Sequence, residues 1–504
     1  MKRDRTVLLP SDESEVKESK KVKFCDTVKA AREEEEGGGK VVERTRKLVT
    51  ARVEAHPTGI QPYGNIYLDQ QGPEKYQKII AGLGGLCTLP EDVILEIFSY
   101  LPAKQLAIIA EVSKGFYLFS RESSLWKERV LSEFQGNFKY EKDWRVTYIK
   151  TKLSTDYENL LYRSELRFSG LYSDVLYQPW RCACVPLEQW ARTDNIDRRS
   201  GLTREEFVKY YEKPNRPVII TDAVPKWPAF NNPEREWSKE NLIKRFGDTV
   251  LKAGAVTMTL RDYWTYADQI RDETPIYLFD NEYGEKEPEL LKDYEVPEYF
   301  KTDYFSLLDS EPKMRPSYRW VLFGPARSGS TFHKDPNYTS AWNGVIKGRK
   351  KWILFPPNIT PPGVLPSKDQ LDVTTPISVV EWFLSFYEHI RDSPVKPIEC
   401  VQNPGELIFI PNQWWHTALN LEECIAVTQN YVSDHNLIAV KNFLHTTKKF
   451  KLLSTLEHEI HQKYPGLLEK LQSEHDKEVY DNSSIWDKLT ADCDSSSTFK
   501  FGFD

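Results

Sequence analysis

Residues 331–335 read T-F-H-K-D, and residues 411–416 read P-N-Q-W-W-H after a strand-like run. The spacing decides the reading. In an extended strand residues i and i+2 point the same way, so His333 and Asp335 face one centre while Lys334 faces away. A third ligand then has to come from another strand, and His416 supplies it. Two histidines and one carboxylate form the facial set of non-haem Fe(II) oxygenase sites, in which three metal positions stay open. A zinc ion with one open position is the competing reading of the three residues alone.

Around this pair lie short β-rich runs separated by Pro, Gly and Asn: Trp320–Phe323, Lys351–Phe355, Glu406–Ile410 and Cys424–Val432. Their spacing predicts a double-stranded β-helix, a jelly-roll-like barrel that holds a site between two sheets. V-I-I-T-D at 218–222 reads as a buried strand, 236–250 as a helix, and L-K-A-G-A-V-T-M-T-L at 251–260 as one strand leading into a helix. From about 434 the pattern is helical through Leu471. The fold class is therefore α+β, a barrel with flanking helices preceded by a small helical module.

That module is legible at 86–130. Pro90 suits a first helical turn, with Glu91 and Asp92 at the positive helix end. Val93, Ile94, Ile97, Phe98 and Leu101 recur at helical spacing, Pro102 stops the helix, and Leu106 to Val112 start another. Leu89-Pro90, the I-x-x-x-I-F-S-Y-L stretch, V-S-K-x-F and Trp126 resemble an F-box. The resemblance implies docking to a Skp adaptor of a cullin–RING ubiquitin ligase; a hairpin serving only as packing is the plainer alternative.

The chain is 504 residues long, so two or three units are expected. Its net charge of −7 argues against nucleic-acid binding by electrostatics. The seven cysteines are scattered with no C-x-x-C, indicating neither a disulfide framework nor a zinc finger. Cys182 and Cys184 read as one face of a strand, in a W-R-C-A-C stretch that opens the next domain. No long apolar run suggests secretion or a membrane span. Residues 1–50 carry mixed charge and one aromatic, Phe24, a composition that cannot bury enough apolar area to order itself. Ser19-Lys-Lys-Val-Lys23 within them reads either as a nuclear import signal or as a solvated charge cluster. The organisation is then a tail (1–50), a linker (51–85), the F-box (86–130), a helical bridge (131–179), the barrel (180–435), C-terminal helices (436–475) and a poorly ordered tail (476–504).

The stretch R-W-V-L-F-G-P-A-R-S-G-S-T-F-H-K-D at 319–335 and its continuation to Pro357 resemble a JmjC domain, as do 405–421 and 425–432. The closest likeness is to the bifunctional arginine demethylase and lysyl-hydroxylase branch, which also shares T-P-I-Y-L-F-D-N-E-Y-G at 274–284. The resemblance implies an Fe(II)- and 2-oxoglutarate-dependent dioxygenase that acts on lysine or arginine side chains of histones or other proteins, in the nucleus. It assigns iron to His333, Asp335 and His416. Lys350 matches the lysine that anchors the distal carboxylate of 2-oxoglutarate, Tyr277 and Thr428 its hydroxyl partners, Asn343 an amide beside the cosubstrate, and Ser330 a small hydroxyl residue near the metal. Hydroxylation of an N-methyl carbon would release formaldehyde, whereas a hydroxylated lysine methylene would persist. A barrel that only recognises a target for ubiquitination is the alternative. His435 and His445 read as ordinary packing or surface histidines.

Overall fold

Strands whose residues are apolar on both faces need cover on both sides, and in this chain helices and a second sheet provide it. The computed structural model describes residues 54–64, 82–153, 166–311, 313–368, 372–391 and 395–482. The expected 1–50 tail, with Ser19–Lys23, and the last residues of the chain lie outside these.

The strands in chain order begin with β1 (Arg198–Arg199), β2 (Val218–Ile220), β3 (Val250–Ala253), β4 (Val256–Thr259) and β5 (Leu278–Asp280). They continue with β6 (Arg319–Gly324), β7 (Gly329–His333), β8 (Ser340–Lys347), β9 (Lys350–Phe355), β10 (Leu365–Pro366) and β11 (Val373–Thr374). The last four are β12 (Ile398–Gln402), β13 (Leu407–Ile410), β14 (Trp415–Asn420) and β15 (Cys424–Tyr431). They build a nine-stranded sheet in the order β1-β2-β13-β8-β15-β6-β5-β3-β4 and a four-stranded sheet β12-β9-β14-β7. Chain neighbours alternate between the sheets: β7 to β8, β8 to β9 and β13 to β14 each cross over. This is the double-stranded β-helix expected from the spacing of the β-rich runs. Strands β9, β13 and β14 are buried at every residue.

The F-box-like module consists of α1 (Glu91–Ser99), α2 (Ala103–Ile109), α3 (Lys114–Ser120) and α4 (Ser123–Phe134). Pro102 caps the second helix, which therefore starts three residues before the expected Leu106. Arg129 is buried and donates to the carbonyls of Phe98, Ser99 and Leu101, satisfying the end of α1. The module shares one apolar core with the large sheet, running from Ile94 and Phe98 through Trp144 and Tyr266 to Tyr431. Lys127 pairs with Asp272 at 2.8 Å, and Tyr140 meets Tyr266 edge-on at 5.2 Å. Gly136 lies so close to β4 that a Cβ would sit 1.9 Å from the Thr257 carbonyl oxygen, with φ +97°.

Three local expectations are corrected. W-R-C-A-C does not open a strand: it ends a helix, α5 (Asp174–Cys184), started by the Ser173 cap, so Cys182 is buried and Cys184 turned away from it. The single strand expected in 251–260 is a β3–β4 hairpin, because Gly254 takes φ +60° and reverses the chain, while the helix expected after it is present at Leu260–Ala267. The preceding helix covers only Lys239–Phe246. Past the barrel, helices Leu437–Thr446, Phe450–Lys463 and Leu467–Asn482 follow, the last running beyond Leu471 into a stretch expected to be poorly ordered. Residues 54–64 pair with the chain near 171, through Gln61 and Tyr172. Among the described residues no helix is long and apolar enough to cross a membrane.

Candidate metal and cosubstrate site

His333 ends β7 and faces His416 of β14 across an antiparallel pair. The register slips between His416 and Ala418, so three residues of β7 span two of β14. A bulge of this kind re-aims a strand's end. Gly329 makes it possible: with φ +154° it lets the backbones approach until a Cβ would be 1.9 Å from the Ala418 carbonyl oxygen. Asp335 follows in extended backbone at φ −59°, ψ 145°, so its side chain turns to the same side as His333.

Ligand-capable atoms of His333, Asp335 and His416 lie within 4.8 Å of one another. His333 Nδ1 bonds the Thr331 carbonyl at 2.7 Å, and His416 Nδ1 bonds the Trp414 carbonyl at 3.0 Å. Both Nδ1 atoms therefore carry the proton, and both Nε2 lone pairs are left for a metal. Burial, then the neighbouring His333, hold the His416 pKa well below that of free histidine, so the ring stays neutral. Burial raises the Asp335 pKa, offset by His333 and by a hydrogen bond to Asn430. Asp335 Oδ2 is buried with no hydrogen-bond partner. A buried carboxylate oxygen with no hydrogen-bond partner, close to two imidazole rings, is costly unless a cation completes it. The donor set fits Fe(II).

The pocket beyond these residues has a volume of about 420 Å³. It brings together all eight residues expected there: Tyr277, Ser330, His333, Asp335, Asn343, Lys350, His416 and Thr428. Lys350 is 1% exposed, and its Nζ donates to the Tyr277 hydroxyl at 2.9 Å and to Asn420 Oδ1 at 2.8 Å. Both acceptors are neutral. Asn343 is buried with Oδ1 unpartnered. Thr428 lines the pocket, but its hydroxyl donates to the Trp342 carbonyl at 2.8 Å, leaving its lone pairs rather than its proton toward a ligand.

Asn420, Asn430, Phe279 and Trp320 escaped the sequence reading. Asn420 orients Lys350 and is itself held by Ser328 at 2.9 Å. A signal existed, since residues 416, 418 and 420 share one strand face, as do 428 and 430.

The turn after Asp335 is unusual. Asn337 and Tyr338 both take φ +57°, the left-handed region that branched and bulky side chains avoid. Lys449 Nζ donates to Asn337 Oδ1 at 2.8 Å, and the Tyr338 ring packs on Phe443 at 4.5 Å. The C-terminal helices thus hold the turn.

Comparison with known proteins agrees with this geometry. A model described as a cupin-like domain matches residues 203–436, and an F-box-like model matches 86–132. The chain is 42% identical over 464 residues, 88% of either protein, to the arginine-specific demethylase JMJ22 of Arabidopsis thaliana. It is 37% identical to the bifunctional arginine demethylase and lysyl-hydroxylase psr-1 of Caenorhabditis elegans, over 57% of this chain and 74% of that one. Against the human 2-oxoglutarate and iron-dependent oxygenase JMJD4 the identity is 29%, over 49% of this chain and 64% of that one.

Proposed function

The chain belongs to the cupin-like JmjC oxygenases with an F-box-like module, and from that premise we propose that it is a 2-oxoglutarate- and Fe(II)-dependent dioxygenase of protein arginine or lysine side chains. The observation that carries the reading is the pairing of an orphaned His–Asp–His set with a buried lysine that has only neutral partners.

His333, Asp335 and His416 would hold the iron through two Nε2 atoms and a carboxylate oxygen. Lys350 would take the distal carboxylate of 2-oxoglutarate, with the Tyr277 hydroxyl beside it and Asn420 fixing the ammonium. A charge-assisted bond in so dry a place is strong. Asn343, buried with Oδ1 unpartnered, would present its amide to the cosubstrate near the metal, and Ser330 lines the same pocket. Leu322, Trp352, Ile410 and Ala418 keep bulk water from the reacting carbon. With O₂, the bound metal and cosubstrate supply oxygen insertion into a C–H bond, leaving succinate and CO₂. The protein's part is to choose which carbon lies there.

We assign the substrates to Lys/Arg-rich proteins, histone tails among them, and the site of action to the nucleus. The relatives' printed activities support the first and the basic Ser19–Lys23 cluster the second. A second, compatible reading is docking to a Skp adaptor. Val93, Ile97, Tyr100, Ile108 and Val112 of the F-box-like module stay exposed, at 77% for Tyr100, although the module's other face is fully packed.

The test is turnover. Protein purified without oxygen, given Fe(II) and 2-oxoglutarate, is expected to form succinate, more of it with methylated histone peptides. Formaldehyde marks demethylation; its absence alongside peptide oxidation marks stable hydroxylation. No succinate from iron-replete protein sinks the oxygenase reading.

A further inference from the structure

Tyr277, whose hydroxyl meets Lys350, stands at the end of an irregular stretch of chain. No helix or strand covers 268–277, between the helix Leu260–Ala267 and β5. Backbone of this kind has no ladder to fix it, so the side chains that grip it set its position.

Two grips hold it. Beside Tyr277, the Ile276 N–H donates to the Tyr266 hydroxyl at 2.8 Å, and the Tyr263 hydroxyl donates to the Ile276 carbonyl at 3.1 Å. The second grip comes from the F-box-like module. Lys127 of α4 donates through Nζ to the Thr274 carbonyl and, at 2.9 Å, to the Thr274 hydroxyl, and it pairs with Asp272 Oδ2 at 2.8 Å. An ammonium has three donors, and a span of three residues takes them all. The side chains of Lys127 and Asp272 are 15% and 11% exposed, so water screens this pair less than one at the surface.

The helix that follows, Trp144–Leu153, reinforces both grips. Trp144 Nε1 donates to Asp272 Oδ2 at 3.1 Å, and the Trp144 ring packs on Tyr266 at 5.5 Å. Helix α4 thus has two arms: Arg129 closes the end of α1 within the module, and Lys127 holds the strap that leads to the cosubstrate end of the pocket. Neither Lys127 nor Thr274 lines that pocket. Their influence has to pass through Tyr277, whose hydroxyl is 2.9 Å from Lys350 Nζ. A backbone shift of about 1 Å carries such a contact out of hydrogen-bond range.

We propose that Lys127 is a positioning residue for the cosubstrate site: through the strap 272–276 it sets where the Tyr277 hydroxyl stands, and so how tightly 2-oxoglutarate is held. The F-box-like module is then a working part of the oxygenase and not a tag carried by it. The assignment rests on the oxygenase reading of the pocket.

The experiment titrates 2-oxoglutarate into the full chain loaded with Mn(II), and measures succinate formation with Fe(II). Lys127→Met keeps the apolar stem and removes the donors. It is expected to weaken 2-oxoglutarate binding about fivefold and to raise KM for 2-oxoglutarate by the same factor, with kcat and Mn(II) affinity near wild type. Tyr277→Phe is expected to weaken binding about tenfold. Combined with it, Lys127→Met should add less than about twofold, because the hydroxyl that it positions is gone. Glu128→Gln, exposed on the same helix, should change nothing. Thermal unfolding checks that each variant folds. If Lys127→Met alone does not, Lys127→Met with Asp272→Asn removes both charges together and is read in the same way.

Wild-type 2-oxoglutarate affinity in folded Lys127→Met overturns the assignment. So does the same fivefold loss in the Tyr277→Phe background, which would route the effect elsewhere. So does a parallel fall in Mn(II) affinity, or an equal loss in Glu128→Gln, since either marks a general loosening of the fold. If wild-type protein binds no 2-oxoglutarate, the underlying oxygenase reading fails instead, and the two failures are told apart.

Discussion

Lys350 and Lys351 are neighbours on β9, both at most 1% exposed, and they face opposite ways. Behind the sheet, Lys351 Nζ meets Glu399 Oε2 at 2.7 Å and the Thr193 carbonyl at 2.8 Å, while the Tyr387 hydroxyl donates to the same carboxylate at 2.8 Å. On the pocket side Lys350 has a phenol and an amide and no counter-ion within that pair of bonds. Across the pocket Asp335 Oδ2 and Asn343 Oδ1 have no hydrogen-bond partner. One face is internally neutralised and the other is left incomplete. A buried charge closed by the protein's own groups serves the fold; one left open marks where a ligand belongs.

The largest effect tests the open face. Asp335→Ala should abolish succinate formation, yet metal-free protein should unfold at the same temperature as wild type or higher, because a buried unpaired carboxyl is removed. A clear loss of metal-free stability would break the contrast. The closed face should behave in the opposite way. Lys351→Met strands Glu399 and should cost about 3–5 kcal/mol in denaturant unfolding. Replacing both residues, with Glu399→Leu added, should recover much of that loss, and a double mutant as unstable as the single would disprove the pairing argument.

Lys350→Met sharpens the comparison by using the adjacent residue. It should leave stability nearly intact while weakening 2-oxoglutarate binding about 100-fold in calorimetry, in line with loss of about 2–3 kcal/mol from a charge-assisted contact. In wild type, cosubstrate at about 100 times its Kd should raise stability by about 2.7 kcal/mol, and at the same concentration that increment should fall to about 0.4 kcal/mol in the variant. The smallest effect is expected at Asn420→Ala, which frees the ammonium without removing it. A roughly fivefold rise in KM for 2-oxoglutarate at near-normal kcat is the expected outcome, about 1 kcal/mol.

Much of this contrast is written locally in the chain. His333 and Asp335 at i and i+2, and the short β-rich runs between turn residues, announce a barrel with a metal set because strand periodicity is a two-residue rule. Helix α1 is equally plain, since its Pro90 and first-turn acids are adjacent in sequence. What lies beyond one strand is not legible in that way. Nothing near residue 350 tells that Lys350 meets Asn420 while Lys351 meets Glu399, because cross-strand register is set by the whole sheet. Cys182 and Cys184 looked strand-like because a short apolar run has no clear period, and the Ser173 cap that starts the helix stands well upstream. The 251–260 segment was misread because one glycine, Gly254, counts for more than the apolar residues around it.

The turn at Asn337 and Tyr338 has a thermodynamic consequence. Two left-handed residues in succession cost about 1–3 kcal/mol each, and the contacts of Lys449 and Phe443 offset that cost. Asp335 is therefore aimed by the C-terminal helices, and linkage is reciprocal: whatever those helices contribute to metal affinity, the metal must return to their docking. Hydrogen exchange in Leu437–Thr446 should slow when a divalent ion occupies the distant-looking pocket, which makes the end of the chain a reporter of the state of its centre.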